Sequence, residues 1–137
     1  DGMGISLNNI GSIYIDKGDY KKAEEYFQKS FTIQKEIELG ADKLLMTTVH
    51  LNLSCKQLGK EYDIRKIQTL LKETENISAG LNYRLYKLLE DTSYLETAYN
   101  QIQEKAEYLE DRVNFLSYPI PKSIVEEWDK VNSTTSL

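Results

Sequence analysis

Apolar and small residues in the first forty positions recur at intervals of three and four. Leu7, Ile10, Gly11 and Tyr14 form one stripe, and beyond Gly18-Asp19 a second stripe runs through Tyr20, Ala23, Phe27, Ser30 and Ile33. This is the period of a helix with one face in a core, so LNNIGSIYIDKGDYKKAEEYFQKS reads as two antiparallel packed helices. Gly18 can take the left-handed backbone that ends the first helix, and the Asp19 carboxylate can accept a main-chain N–H to start the second. A glycine inside a helix costs about 1 kcal/mol relative to alanine. Gly11 therefore needs a reason, and close approach of the partner helix supplies one. Ala23 is the expected flat spot opposite Gly11, with Tyr20, Phe27 and Ile33 as the bulk around it.

Shifting the chain against itself by 44 residues superposes Ile5 on Val49, Leu7 on Leu51, Gly11 on Cys55, Asp19 on Asp63, Ala23 on Ile67 and Phe27 on Leu71. Apolar positions meet apolar positions and cap meets cap, which predicts a second, degenerate hairpin. The same reading places helices near 4–17, 20–39, 42–58, 63–78, 81–91, 93–111 and 121–131, and no strand. Gly40, Gly59 and Gly80 are the expected stops, and Ser93 with Glu96 an expected capping box. Past residue 80, Leu81, Leu85, Leu88 and Leu89 mark one apolar face. Leu95, Ala98, Tyr99, Ile102, Ala106 and Leu109 mark another. Tyr118-Pro119-Ile120-Pro121 reads as a rigid extended elbow that folds Ile124, Val125 and Trp128 back, with Trp128 against the helix of 93–111 and 132–137 as a frayed tail. The expectation is one all-α domain over residues 1–137: hairpins 4–39 and 42–78 in a right-handed α-α superhelix, then capping helices over 81–131.

Leu7, Ile10-Gly11, Tyr14, Gly18, Tyr20, Ala23, Phe27 and Ser30 stand in the order and spacing of a known signature. Residues 4–37 resemble the tetratricopeptide repeat (TPR) family, with Leu7 in place of a frequent Trp, Ser30 in place of Ala, and Lys35 where proline often closes the unit. The second copy, about 48–81, resembles the long-helix variety more loosely. The resemblance implies stacked helical hairpins that act as a protein- or peptide-binding scaffold, not an enzyme. It also implies a concave groove lined by the first helix of each repeat. Carried onto this chain, the groove positions are Asn9, Ser12 and Asp16, followed one repeat on by Leu53, Lys56 and Lys60. The dense Lys, Asn and Arg set that clamps a C-terminal carboxylate in some members is missing.

Composition narrows the partners. The net charge is −5, and the basic residues are interleaved with acids along helix faces, which disfavours nucleic acid. No stretch pairs a basic face with a free apolar one or is long enough to span a bilayer, so no membrane is expected. Cys55 is the one cysteine, which points to a reducing compartment, the cytoplasm, and to a buried inert thiol. His50, also the only one of its kind, sits five residues from Cys55, about 140° around a helix, so the two do not form a nucleophile–base pair. Too few Cys and His are present for a zinc site, and no metal or cofactor is expected. Of the ten tyrosines, Tyr14, Tyr20 and Tyr26 are expected in the core, whereas Tyr83, Tyr86, Tyr94, Tyr99, Tyr108 and Tyr118 are freer to form a binding surface.

The chain opens on Asp1-Gly2-Met3 without a secretory signal, which suggests the C-terminal part of a larger protein. Two function classes follow. One is a binding scaffold that uses the groove. The other is a regulatory or self-association segment of a multidomain signalling protein. Ile5, Ile13 and Ile15 lie outside the tight hairpin set, and the apolar patch they are expected to leave makes the N-terminal helix the candidate for homo-oligomer contact.

Overall fold

A computed structural model describes residues 2–36, 40–109 and 112–135, with side chains over 7–36, 40–109 and 112–133. It is all-α. The helices are α1 (Gly2–Asp16), α2 (Tyr20–Glu36), α3 (Ala41–Gln57), α4 (Arg65–Glu73), α5 (Ala79–Leu89), α6 (Thr92–Glu107), α7 (Arg112–Leu116) and α8 (Pro119–Thr135). The expected ends at residues 37–39 and 110–111, the tail at 136–137 and the side chain of Ile5 lie outside the described residues. Contacts group the chain into two compact units, Asp1–Asn76 and Ile77–Leu137.

In the first unit each helix packs on the next, α1 on α2, α2 on α3 and α3 on α4, and α1 also touches α3. Gly18 ends α1 with φ +79°. The Asp19 N–H donates to the Tyr14 carbonyl at 2.9 Å and the Gly18 N–H to the Ile15 carbonyl at 3.0 Å, the paired bonds of a left-handed helix stop. Asp19 then caps α2 through its Oδ1, which accepts the Lys22 N–H at 3.2 Å. Ala23, Phe27 and Ile15 form the buried centre of the hairpin, with Tyr14, Tyr20 and Leu51 around them. A side chain added at Gly11 would put its Cβ 2.9 Å from the Phe27 ring. The close approach is real, but its partner is Phe27 rather than the expected Ala23. Two members of the expected packing sets change places. Ile10 is 37% exposed, and Ile15 is buried.

The second hairpin shifts register. Gly59 ends α3 with φ +73°, and the Lys60 N–H reaches the Cys55 carbonyl at 2.9 Å as Asp19 reaches Tyr14. By these stops the copies are offset by 41 residues, not 44, and a longer turn before α4 absorbs the difference. Three residues rotate a helix by about 300°, so Cys55 does not face its own partner helix as Gly11 does; it bonds Glu24 on α2. Asn52 takes the inward place, its Nδ2 donating to the Asp63 carbonyl at 3.1 Å. The helix expected over 63–78 ends at Glu73, where Thr74 turns extended while its hydroxyl donates to the Leu70 carbonyl.

In the second unit α6 is central, packing on α5, α7 and α8. Tyr83, Leu95, Ala98, Ile102 and Ile124 are its buried core, and Trp128, Tyr99, Tyr86 and Val131 pack against them. Trp128 stacks on Tyr99 at a centroid distance of 5.1 Å, as the sequence predicted. Three local expectations fail here. Gly80 is not a stop but lies in the first turn of α5, whose N-cap is Ser78, accepting from the Leu81 N–H. Asp91, not Ser93, caps α6. Pro119 and Pro121 are not an extended elbow but the first turn of α8, which runs through the expected tail to Thr135. Proline suits that turn because its N–H positions have no helical acceptor anyway.

Candidate functional site

The surface of interest is the pair of first helices, α1 and α3, and what holds them side by side. Asn8, almost fully buried, donates its Nδ2 to Thr47 Oγ1 at 2.9 Å. Thr47 donates its hydroxyl to Gln34 Oε1 of α2 at 2.7 Å. One hydroxyl thus ties three helices together, and Thr47 and Gln34 are both fully buried. Gln34 Nε2 is buried without a hydrogen-bond partner among the described residues. A bond with both ends buried aligns α1 and α3 in a way apolar contact alone does not, because slippage would leave amides unpaired.

On α1, Asn9 and Asp16 are exposed and Ser12 is half-buried. They follow the buried Asn8 and Ile15 around the helix and form a polar strip beside the α1–α3 contact. On α3 the expected strip does not form. Leu53 is buried at 2% exposure, and Lys56 is half-buried. Lys60 lies past the helix end, bonded through Nζ to Glu24 Oε1 at 2.7 Å. For the lysines the three-residue register shift is the reason: carried over at 44, they fall off the face that Ser12 and Asp16 occupy in the first copy. Leu53 stays on that side of α3 but is covered. Lys43, Met46 and Gln57 share one exposed face of α3 instead. Sequence reasoning missed them, and the signal was available in their i, i+3 and i+14 spacing.

Cys55, Glu24 and Lys60 form a small network of a different kind. Cys55 Sγ donates to Glu24 Oε2 at 3.3 Å. The Lys60 hydrogen bond, and after it that of the thiol, hold the Glu24 carboxyl below its ordinary value against the opposing effect of burial. Burial, and then the hydrogen bond to Glu24, push the Cys55 thiol up to about 11. A thiol held protonated at neutral pH is a poor nucleophile. His50 does not assist it. Its ring is buried and stacked on Phe27, with centroids 5.0 Å apart. Among the described residues no group of three His, Cys, Asp or Glu side chains converges to hold a metal ion, and no helix is long and apolar enough to cross a membrane.

Tyr14, Tyr20 and Tyr26 are half-buried, and Tyr14 stacks on Tyr26 at 5.5 Å. Of the six expected to be freer, Tyr83 is buried and Tyr86, Tyr94 and Tyr99 are half-buried; Tyr108 and Tyr118 are exposed. Tyr86 donates to Glu127 at 2.8 Å, and burial first, then that bond, push it up to about 12.

Comparison with known proteins bears on one of these segments. Residues 5–37, the α1–α2 hairpin, match the model of the tetratricopeptide repeat. The chain therefore carries a tetratricopeptide repeat at its first hairpin. No curated protein and no solved structure matches it.

Proposed function

We propose that this chain is a protein- or peptide-binding scaffold that takes an extended segment of its partner along the strip between α1 and α3. Tetratricopeptide repeats are in general protein-interaction scaffolds, and residues 5–37 match that repeat. The observation that carries the reading to a particular surface is the Asn8–Thr47 bond, which sets the first helices of successive hairpins beside each other. Asn9, Ser12 and Asp16 supply one wall with hydrogen-bonding groups at one-turn intervals. Lys43, Met46 and Gln57 supply the other, with Lys56 at its edge. Lys60 is withdrawn from the set by Glu24. Such a strip recognises by hydrogen bonds and shape and carries out no bond chemistry, and a cytoplasmic signalling assembly is the setting we favour for it.

Selection of displayed random peptides against the chain, repeated on an Asn9→Ala, Asp16→Ala double variant, tests the reading. Peptides selected on the parent should bind the variant about tenfold more weakly, the loss of one or two charge-assisted hydrogen bonds. Equal binding to both proteins would place recognition elsewhere.

A further inference from the structure

A second surface of the first hairpin is chemically unlike the α1–α3 strip and independent of the function proposed for it. Leu7, Ile10 and Tyr14 follow one another at i, i+3 and i+7 along α1, and Ile10 stays 37% exposed although α2 packs beside it. Leu7 continues into an open cavity of about 480 Å³ that Gln28, Lys29, Thr32 and Ile33 of α2 complete. At the other end of the stripe Tyr14 stacks on Tyr26. The lysines of this surface stand at its rim: Lys22 Nζ lies 5.3 Å from the centroid of the Tyr14 ring, and Lys29 Nζ lies 5.3 Å from that of Tyr26. Lys17 extends the α1 stripe by one more turn. Glu25 is the acid nearest in sequence on the exposed side of α2. In a chain of net charge −5, this is an apolar groove with a basic edge.

We infer that this groove between α1 and α2 docks an amphipathic helix of a partner protein whose apolar stripe is flanked by Asp and Glu. The apolar stripe would enter the cavity beside Leu7 and Ile33 and cover Ile10, and the acids would meet Lys22 and Lys29. Two parallel stripes, one apolar and one cationic, are the complement of a helix with those two faces. Cations already held over tyrosine rings are fixed in place and lose less freedom on pairing. The charge also argues against a second copy of this chain as the occupant of this groove. In a two-fold contact the same patch meets itself, so Lys17, Lys22 and Lys29 would meet a second set of the same lysines with Glu25 the acid among them on the exposed side of α2, a poorer complement than a stripe of acids.

Three synthetic helices test this by fluorescence anisotropy on the full chain: leucine-striped with Glu flanks, the same stripe with Lys flanks, and a scramble of the first. The acidic helix should bind, weaken with added salt, and lose about tenfold in affinity to a Lys22→Glu, Lys29→Glu variant, with Lys22→Gln, Lys29→Gln intermediate. Circular dichroism should show all of these proteins equally helical. Asn9→Ala, Asp16→Ala should bind the acidic helix unchanged, which separates this groove from the α1–α3 strip. The inference is overturned if the basic or scrambled helix binds as well, or if the lysine variants bind as the parent does. It is overturned equally if native mass spectrometry shows a dimer that Ile10→Glu dissolves, for then a second copy is the occupant.

Discussion

The two units solve the problem of packing helices with opposite means. In the first, small and polar residues sit where α1, α2 and α3 meet, with Leu45, Val49, Leu53 and Ile67 buried beyond them: Gly11 under the Phe27 ring, Ala23 and Ser30 without exposure, and Thr47 bonded to Asn8 and Gln34. In the second, the contacts are filled by large apolar side chains around Leu95, Ile102 and Ile124, closed by the Tyr99–Trp128 stack. Small residues fix the distance and angle at which helices meet, and so leave a repeat signature in the sequence. Large residues can fill many geometries and leave only amphipathic stripes. The first arrangement is sensitive to added volume and lost hydrogen bonds, the second to lost volume.

The largest expected effect is in the second unit. Trp128→Ala removes the ring that stacks on Tyr99 and opens the space beside Ile124, and should cost about 3 kcal/mol in denaturant unfolding. Native-state hydrogen exchange should show the loss in α5, α6 and α8, with the amides of α1 and α2 retaining their protection. Uniform loss along the chain would show that the two packing styles do not act separately. Gly11→Leu is the mirror experiment. Its Cβ would lie 2.9 Å from a Phe27 ring that is itself fully buried and stacked on His50, and the overpacking should cost about 2 kcal/mol. Adding Phe27→Leu to Gly11→Leu should recover part of it. A double variant no better than Gly11→Leu would remove Phe27 as the cause.

These contrasts also explain which features were legible. Gly18 and Gly59 end helices in the left-handed region that glycine alone enters freely, so both stops stood in the sequence. Glu90 enters the same region at φ 56° to end α5, and nothing in its identity announces that. The early end of α4 has no glycine or proline to announce it: Thr74 turns extended while its hydroxyl donates to the Leu70 carbonyl. Pro119 and Pro121 suggest an extended elbow because proline's exclusion from helix interiors outweighs, in a sequence pattern, its fitness for a first turn. At the candidate strip, Asn9, Ser12 and Asp16 could be placed from the first copy. Lys56 and Lys60 could not, since the stops at Gly18 and Gly59 set the copies 41 residues apart, and the three residues by which 44 overshoots turn each position about 300° around α3.

Thr47→Val tests the polar half of the comparison at constant shape. It removes one hydroxyl and leaves the Asn8 amide and the Gln34 carbonyl buried without it, at a cost of about 1.5 kcal/mol. The triple change Asn8→Leu, Gln34→Leu, Thr47→Val asks what the bonds are for. If they serve alignment, that protein should regain stability but bind selected peptides less well, through loss of the α1–α3 register. Full peptide binding by the apolar protein would reduce the bonds to local stabilisation.

The smallest effect separates positions 11 and 55, which the sequence aligned and the structure does not. Were Cys55 a simple filler for glycine it would titrate near its ordinary 9.0, but it is half-buried and bonded to Glu24, and stands at about 11. A folded value above the unfolded one means that the native state keeps its proton where the unfolded chain has lost it. Cys55 therefore contributes no pH dependence below 9, and stability falls as the pH rises from about 9 toward 11. Glu24 has the opposite sense. Its folded value lies below the ordinary 4.5, so its contribution is present at neutral pH and is lost as the pH falls through that folded value. Alkylation of Cys55 by iodoacetamide should accordingly be slow at pH 8 and accelerate only toward pH 11. Glu24→Gln removes the anion that opposes ionisation but leaves the burial, so the midpoint should move part of the way back toward 9.0. A midpoint already near 9.0 in the parent protein would mean that the thiol is solvated and that Cys55 does not bond across to α2.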